Sequence, residues 1–265
     1  MAVADSNIDL GNTAGLYSQI AGVLAAFAFS ALLGYLRRPS AEDAATNTHR
    51  DTTVVLFTTL VALIICAITY GQVASGPADQ GLTYSGFFLL GPVFCLSILG
   101  MFYAIVLAAA PFAHLGPMIT AARLVATVVG PVIAMFLVGG AANDVEIRLC
   151  SGRGKQPSKA CLDAVPGEAF QFGIVMSALL LVGSVYVLLV SRKATRQNLS
   201  RTPGRVGWLI LGAAASTPLS AVWLASLPYD YLLPSWSLLL GQAITFAVLA
   251  MYSYAAVHTS QPAQS

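Results

Sequence analysis

The chain has 265 residues, of which 57% are apolar and only 9% are charged, and its mean hydropathy is +0.77. Soluble domains carry about 25% charged residues, so this composition excludes a soluble domain, a disordered chain and a nucleic-acid binder. The formal net charge of +2 at pH 7 is too small to indicate a basic surface for an acidic partner. The composition therefore predicts a polytopic membrane protein.

Seven segments are long and apolar enough to cross a bilayer as helices, which takes about 20 residues. None of them alternates apolar and polar residues as a transmembrane β-strand does. We therefore predict an all-α bundle that forms a single domain over residues 1–265, with no separate soluble domain. The predicted spans are 16–36, 52–72, 84–109, 118–140, 169–191, 206–226 and 232–257.

The distribution of Lys and Arg between alternate loops predicts the orientation, because cytoplasmic loops carry an excess of these residues. One side of the bundle holds the larger set, so we expect that side to be cytoplasmic, with the N-terminus outside and the C-terminus inside. We also expect a multi-pass protein of the plasma membrane. The larger set is Arg37, Arg38, Arg50, Arg123, Arg192, Lys193, Arg196, Arg201 and Arg205, against Arg148, Arg153, Lys155 and Lys159.

The longest predicted outer loop, residues 141–168, contains two of the four cysteines, Cys150 and Cys161. Disulfides persist in the oxidising compartment that this loop is expected to face, and the residues between the two cysteines are polar and turn-forming. We therefore predict a structural disulfide between them. The alternative is a redox or metal pair, which the spacing disfavours because it is not CxxC and no His is expected on this side.

No Asp, Glu, Lys, Arg or His lies in the middle of a predicted span, where a charge costs about 2.5–3.5 kcal/mol and is kept for a function. This absence argues against proton relays, voltage sensing, a retinal Schiff base and an axial haem ligand. We expect no cofactor, no metal site and no catalytic site. Arg123, near the cytoplasmic end of the fourth span, is expected to extend to the interface, or alternatively to contact an anion or a lipid headgroup.

The loop between the fifth and sixth spans, residues 191–205, carries five basic residues and no acidic one. Such a run attracts anionic lipid by about 1 kcal/mol per charge near the surface. The same run is also what the bias towards positive cytoplasmic loops produces in any loop on that side. From the sequence we favour the second interpretation.

The third and seventh spans resemble each other at an offset of 150 residues, and the first and fifth spans both end in a basic pair. Two three-helix units, 16–109 and 169–257, joined by one span would have the same orientation. This is the parallel 3+1+3 plan of SWEET-type facilitators, although no PQ dipeptide is present within a span and the prolines do not repeat. The identical pairs are Leu89/Leu239, Leu90/Leu240, Gly91/Gly241, Leu99/Leu249 and Met101/Met251.

Prolines and uncharged polar residues interrupt several spans. A proline removes a helix hydrogen bond and favours a kink, and a glutamine inside a bilayer must find hydrogen-bond partners. One interpretation is a hinge around a midplane cavity, and the other is ordinary helix packing. The candidate residues are Gln242, Thr58, Thr59, Pro92, Pro131, Ser216, Thr217, Pro218 and Thr245.

Two functions follow from these features. The first is a facilitator or permease-like protein for a small neutral solute, and the second is a non-catalytic partner or regulatory subunit of another membrane complex. A facilitator should have a solvent-reachable cavity lined by Gln242, whereas a partner should have an apolar, smooth helix face. The expected partners are the lipid bilayer and either another membrane protein or a second copy, with no nucleic acid. The identity of a substrate is not encoded in any motif.

Overall fold

The computed structural model describes residues 10–37, 43–75, 81–109, 116–151, 167–191, 202–228 and 231–259. In these ranges all regular secondary structure is helical, and seven helices are long and apolar enough to span a membrane. The prediction of seven spans in an all-α protein is therefore confirmed. The helices are α1 (Leu10–Leu36), α2 (Asp43–Ser75), α3 (Gly81–Ala109), α4 (116–151), α5 (Glu168–Ser191), α6 (Thr202–Ala225) and α7 (Ser235–Thr259).

Two helices extend well beyond the predicted spans. α2 begins at Asp43 rather than at residue 52, and α4 ends at Ser151 rather than at residue 140, so part of the predicted loop 141–168 is helical. Hydropathy identifies the part of a helix that suits hydrocarbon, but the backbone can continue as a helix into the polar interface. The 31-residue span of α4 covers about 46 Å at a rise of about 1.5 Å per residue, more than the hydrocarbon core of about 30 Å.

α4 changes its hydrogen-bond pattern in the middle. It consists of an α-helical part, Gly116–Leu124, a π-helical turn, Val125–Val129, and a second α-helical part, Gly130–Ser151. In the π-helical turn the Gly130 N–H donates to the carbonyl of Val125, five residues earlier. Pro131 follows directly and has no N–H to donate, which accounts for the irregularity at this position. Pro92 and Pro218, by contrast, lie inside the continuous helices α3 and α6.

α3 lies at the centre of the bundle and contacts α1, α2, α4, α6 and α7. α1 packs mainly against α2, and α5 packs against α4 and α7. The apolar window of α3 is 61% buried and that of α5 only 22%, so α3 is interior and α5 is peripheral. Successive helices run in opposite directions across the bundle. We call the side where α1, α3, α5 and α7 begin face A, and the opposite side face B.

Glycines allow the helices to approach closely at two crossings, as small residues do in membrane bundles. Where α4 crosses α5, a Cβ on Gly173 would lie 2.7 Å from the Cα of Gly139. Where α3 passes between α2 and α6, a Cβ on Gly100 would lie 2.5 Å from Thr59 Oγ1 and 2.7 Å from Ile210 Cδ1. Neither site has room for a larger residue.

The packing gives no support to the 3+1+3 repeat. In the first unit the middle helix, α2, packs between α1 and α3, whereas in the second unit it is α7, the last helix, that packs against both α5 and α6. Residues matched by the offset also differ in environment: Leu90 is 2% exposed and Leu240 is 52% exposed. The sequence similarity between the third and seventh spans therefore has no counterpart in the packing.

Candidate functional site

Gln242 on α7 is fully buried and links two helices. Its Nε2 donates a hydrogen bond of 3.0 Å to the carbonyl of Ala169 in the first turn of α5. Its Oε1 is buried and has no hydrogen-bond partner, and a Cβ on Gly173 would lie 3.3 Å from this oxygen. The amide is thus used for an interhelical contact of the kind that stabilises membrane bundles.

The polar end of α4 fixes the start of α5 on face A. Glu146 Oε2 accepts a hydrogen bond of 3.1 Å from the Ala169 N–H, and Asn143 Oδ1 accepts one of 3.3 Å from the Gly167 N–H. The first amides of a helix have no partner within the helix, and a carboxylate near them is favoured by the helix dipole. The sequence does not predict these contacts, because hydropathy places residues 141–151 in a loop.

A second contact on face A fastens the connection between α6 and α7 to α3. The hydroxyl of Ser85, a fully buried residue on α3, accepts a hydrogen bond of 3.1 Å from the Leu233 N–H. This bond satisfies a backbone donor just before α7 begins. A single serine in an apolar span gives no signal of this role in the sequence.

Most of the predicted cavity hydroxyls bond to their own helices, as Ser and Thr commonly do in apolar surroundings. The exception is Thr59 Oγ1, which is buried without a hydrogen-bond partner and faces Gly100. The intrahelical bonds run from Thr58 to Val54 and Val55, from Ser216 to Ala213, from Thr217 to Ala214 and from Thr245 to Gly241.

These predicted residues lie in separate places rather than around one cavity. Thr58 faces α6, where a Cβ on Gly207 would lie 3.2 Å from its hydroxyl oxygen, whereas Gln242 is bonded to α5. Ser216 and Pro218 are exposed on α6. The structure therefore assigns them to different helix contacts and to the surface of the bundle.

The remaining candidates lie near the helix ends. Arg123 is in the last turn of the first part of α4, directly before the π-helical turn, and its carbonyl accepts a hydrogen bond of 2.8 Å from Thr127 Oγ1. Cys150 is exposed near the end of α4, but Cys161 lies outside the described residues, so the disulfide stays a prediction. Among the described residues, no group of three or more His, Cys, Asp or Glu side chains is arranged to hold a metal ion.

A cavity of about 590 Å³ lies between α5, α6 and α7 in the half of the bundle nearer face B. We call it the α5–α7 crevice. Its polar side chains are Ser184, Ser253 and Tyr254, and none of the predicted cavity residues lines it. The lining residues are Leu179, Leu180, Gly183, Ser184, Val187, Val206, Leu209, Phe246, Ala250, Met251, Ser253, Tyr254 and Ala255.

Comparison of the chain with protein-family models, with curated proteins and with solved structures finds no match.

Proposed function

We propose that the protein is a non-catalytic membrane partner that assembles with another membrane protein through α1. The observation that carries this proposal is a line of small, exposed residues on α1, spaced four apart. Residues at this spacing lie on one helix face, and such stripes let two helix backbones approach closely in a bilayer. The stripe consists of Gly22, Ala26, Ser30 and Gly34.

All four residues of the stripe are exposed in the described part of the chain. Nothing lies within 4 Å of a Cβ built on Gly22 or on Gly34, and the Ser30 hydroxyl donates to the carbonyl of Ala26 in the same helix. Exposed Val23 and Phe27 lie beside the stripe. Because they are four residues apart, both lie on the same side of the stripe, where they provide a larger apolar surface for a partner helix.

Purification from native membranes in mild detergent, followed by mass spectrometry, tests this proposal. The Ala26→Leu variant fills the centre of the stripe, and Ala31→Leu makes the same change at another exposed position of α1. We expect a stoichiometric membrane protein to accompany the wild type and the Ala31→Leu variant, but not Ala26→Leu. Equal recovery of that protein with both variants would exclude the stripe as the contact surface. Recovery of only a second copy of this chain would show that the protein forms a homo-oligomer and has no other membrane partner.

The facilitator for a small neutral solute is the other function that the sequence predicts. It requires a solvent-reachable path lined by Gln242, whose side chain is fully buried and bonded to Ala169 here. Swelling of proteoliposomes in neutral solutes tests this alternative. Swelling that the wild type shows and the Gln242→Leu variant loses would establish the facilitator.

We also propose that the protein lies in the plasma membrane with face A outside, because face B carries the larger set of Lys and Arg. A cysteine introduced at Lys155 should react with a membrane-impermeant maleimide on intact cells in a background without native cysteines. A cysteine at Ala194 should react only after the cells are permeabilised. The reverse pattern would invert the topology.

A further inference from the structure

The α5–α7 crevice is formed because α7 packs against both α5 and α6, whereas α5 and α6 are separated from each other by an open space next to α7. Along α5 its lining runs from Leu179 to Val187, which is about 12 Å at a rise of about 1.5 Å per residue. The lining is almost entirely aliphatic and aromatic. In a bilayer, the abundant ligand that suits such an apolar crevice is a lipid acyl chain.

The depth of the crevice matches the boundary between acyl chains and headgroups. Exposed Tyr186 on α5, Trp208 on α6 and Tyr254 on α7 lie in the face B half of the bundle, and amphipathic rings favour the interfacial layer. Ser253 lies about 9 Å from the end of α7 at a rise of about 1.5 Å per residue.

Ser253 gives the wall of the crevice a polar group that needs a ligand. The residue is 4% exposed, and its hydroxyl oxygen is buried without a hydrogen-bond partner. A buried hydroxyl without a partner costs free energy that a hydrogen bond recovers. The ester carbonyl of a glycerophospholipid is an acceptor found at this depth, next to the acyl chains.

We propose that the α5–α7 crevice is a binding site for one glycerophospholipid, with an acyl chain between α5 and α6 and the headgroup towards face B. The Ser253 hydroxyl donates to an ester carbonyl of this lipid. The site lies on helices other than α1, so it is independent of the assembly proposed above. A bound lipid here would fix the distance between the two peripheral helices α5 and α6.

Native mass spectrometry of the full chain, reconstituted in phosphatidylcholine with phosphatidylglycerol and released into detergent, tests the site. The Gly183→Leu variant fills the crevice, and Gly212→Leu places the same side chain on exposed α6 outside it. Both glycines are exposed and neither has an atom within 4 Å of a Cβ, so both variants should fold. If Gly183→Leu unfolds, Met251→Phe narrows the crevice from α7 instead.

We expect the wild type and Gly212→Leu to retain one phospholipid, and Gly183→Leu to retain at least tenfold less. A wild type that retains no phospholipid, equal retention by the two glycine variants, or a protein segment in the crevice would overturn the proposal.

Discussion

The contact between Gly139 and Gly173 supports a sharp prediction about the packing of the peripheral helix α5. A methyl group on Gly173 would lie 2.7 Å from the Cα of Gly139. The obstacle is backbone, so no side-chain rotation can relieve it. The Gly173→Ala substitution should therefore force α5 away from α4.

The size of the effect follows from this distance. Carbon atoms pack at about 3.5–4.0 Å, so the two helices must separate locally by about 1 Å. Overpacking of this kind costs about 1–3 kcal/mol. For a chain of this length, each kcal/mol corresponds to about 2–4 °C in Tm. We therefore expect the Tm of Gly173→Ala to fall by about 2–12 °C.

Gly183, on the same helix, provides the control, because nothing lies within 4 Å of a Cβ built there. The Gly183→Ala variant should unfold at or slightly above the wild-type temperature, since alanine favours a helix more than glycine does. Unfolding can be followed with a thiol-reactive dye that detects the free Cys66 and Cys95, in a background with Cys150 and Cys161 changed to Ser. A Tm for Gly173→Ala within about 1 °C of that for Gly183→Ala would refute the reasoning.

Three further predictions concern face A. Ser85→Ala leaves the Leu233 N–H without its acceptor, so it should lower the free energy of unfolding by about 1–3 kcal/mol. The exposed Ser30→Ala variant loses only a bond within α1 and should change this free energy by less than about 0.5 kcal/mol. Equal free energies of unfolding for the two variants would contradict the role of Ser85. Gln242→Ala removes the bond to Ala169 and should destabilise by a similar 1–3 kcal/mol, measured by the same dye assay, whereas an unchanged Tm would show that the bond contributes nothing. A Cys150–Cys161 disulfide predicts that denatured protein binds two maleimide-polyethylene glycol tags before reduction and four after it; four tags in both cases would show that the bond is absent.

The sequence predicted the number and class of the helices because crossing a bilayer imposes a length and a composition on each span. It did not predict where helices end in the polar interface. Residues 141–151 contain Asn143 and Glu146, which hydropathy assigns to a loop. In the structure both side chains accept hydrogen bonds from backbone amides at the start of α5, a tertiary contact that a single sequence does not reveal.

The sequence does not show which of the candidate residues lie near one another. The expectation that Gln242 needs a hydrogen-bond partner agrees with its contact to Ala169. Whether Gln242 lies near the Ser and Thr hydroxyls of the other spans depends, however, on which helices are adjacent. Periodicity does not determine which helices are adjacent when every face is apolar. For the same reason, the α5–α7 crevice and the exposed stripe on α1 are visible only once α1, α5 and α6 are found at the periphery.

We expect the small-residue stripe of α1 to contact another membrane protein. Photo-crosslinking in native membranes tests it most directly, with a photoreactive amino acid at Ala26 and, as a control, at the exposed Ala178 on α5. We predict one crosslinked membrane protein from position 26 that is missing from position 178. No protein product from position 26, or the same products from both positions, would contradict the claim.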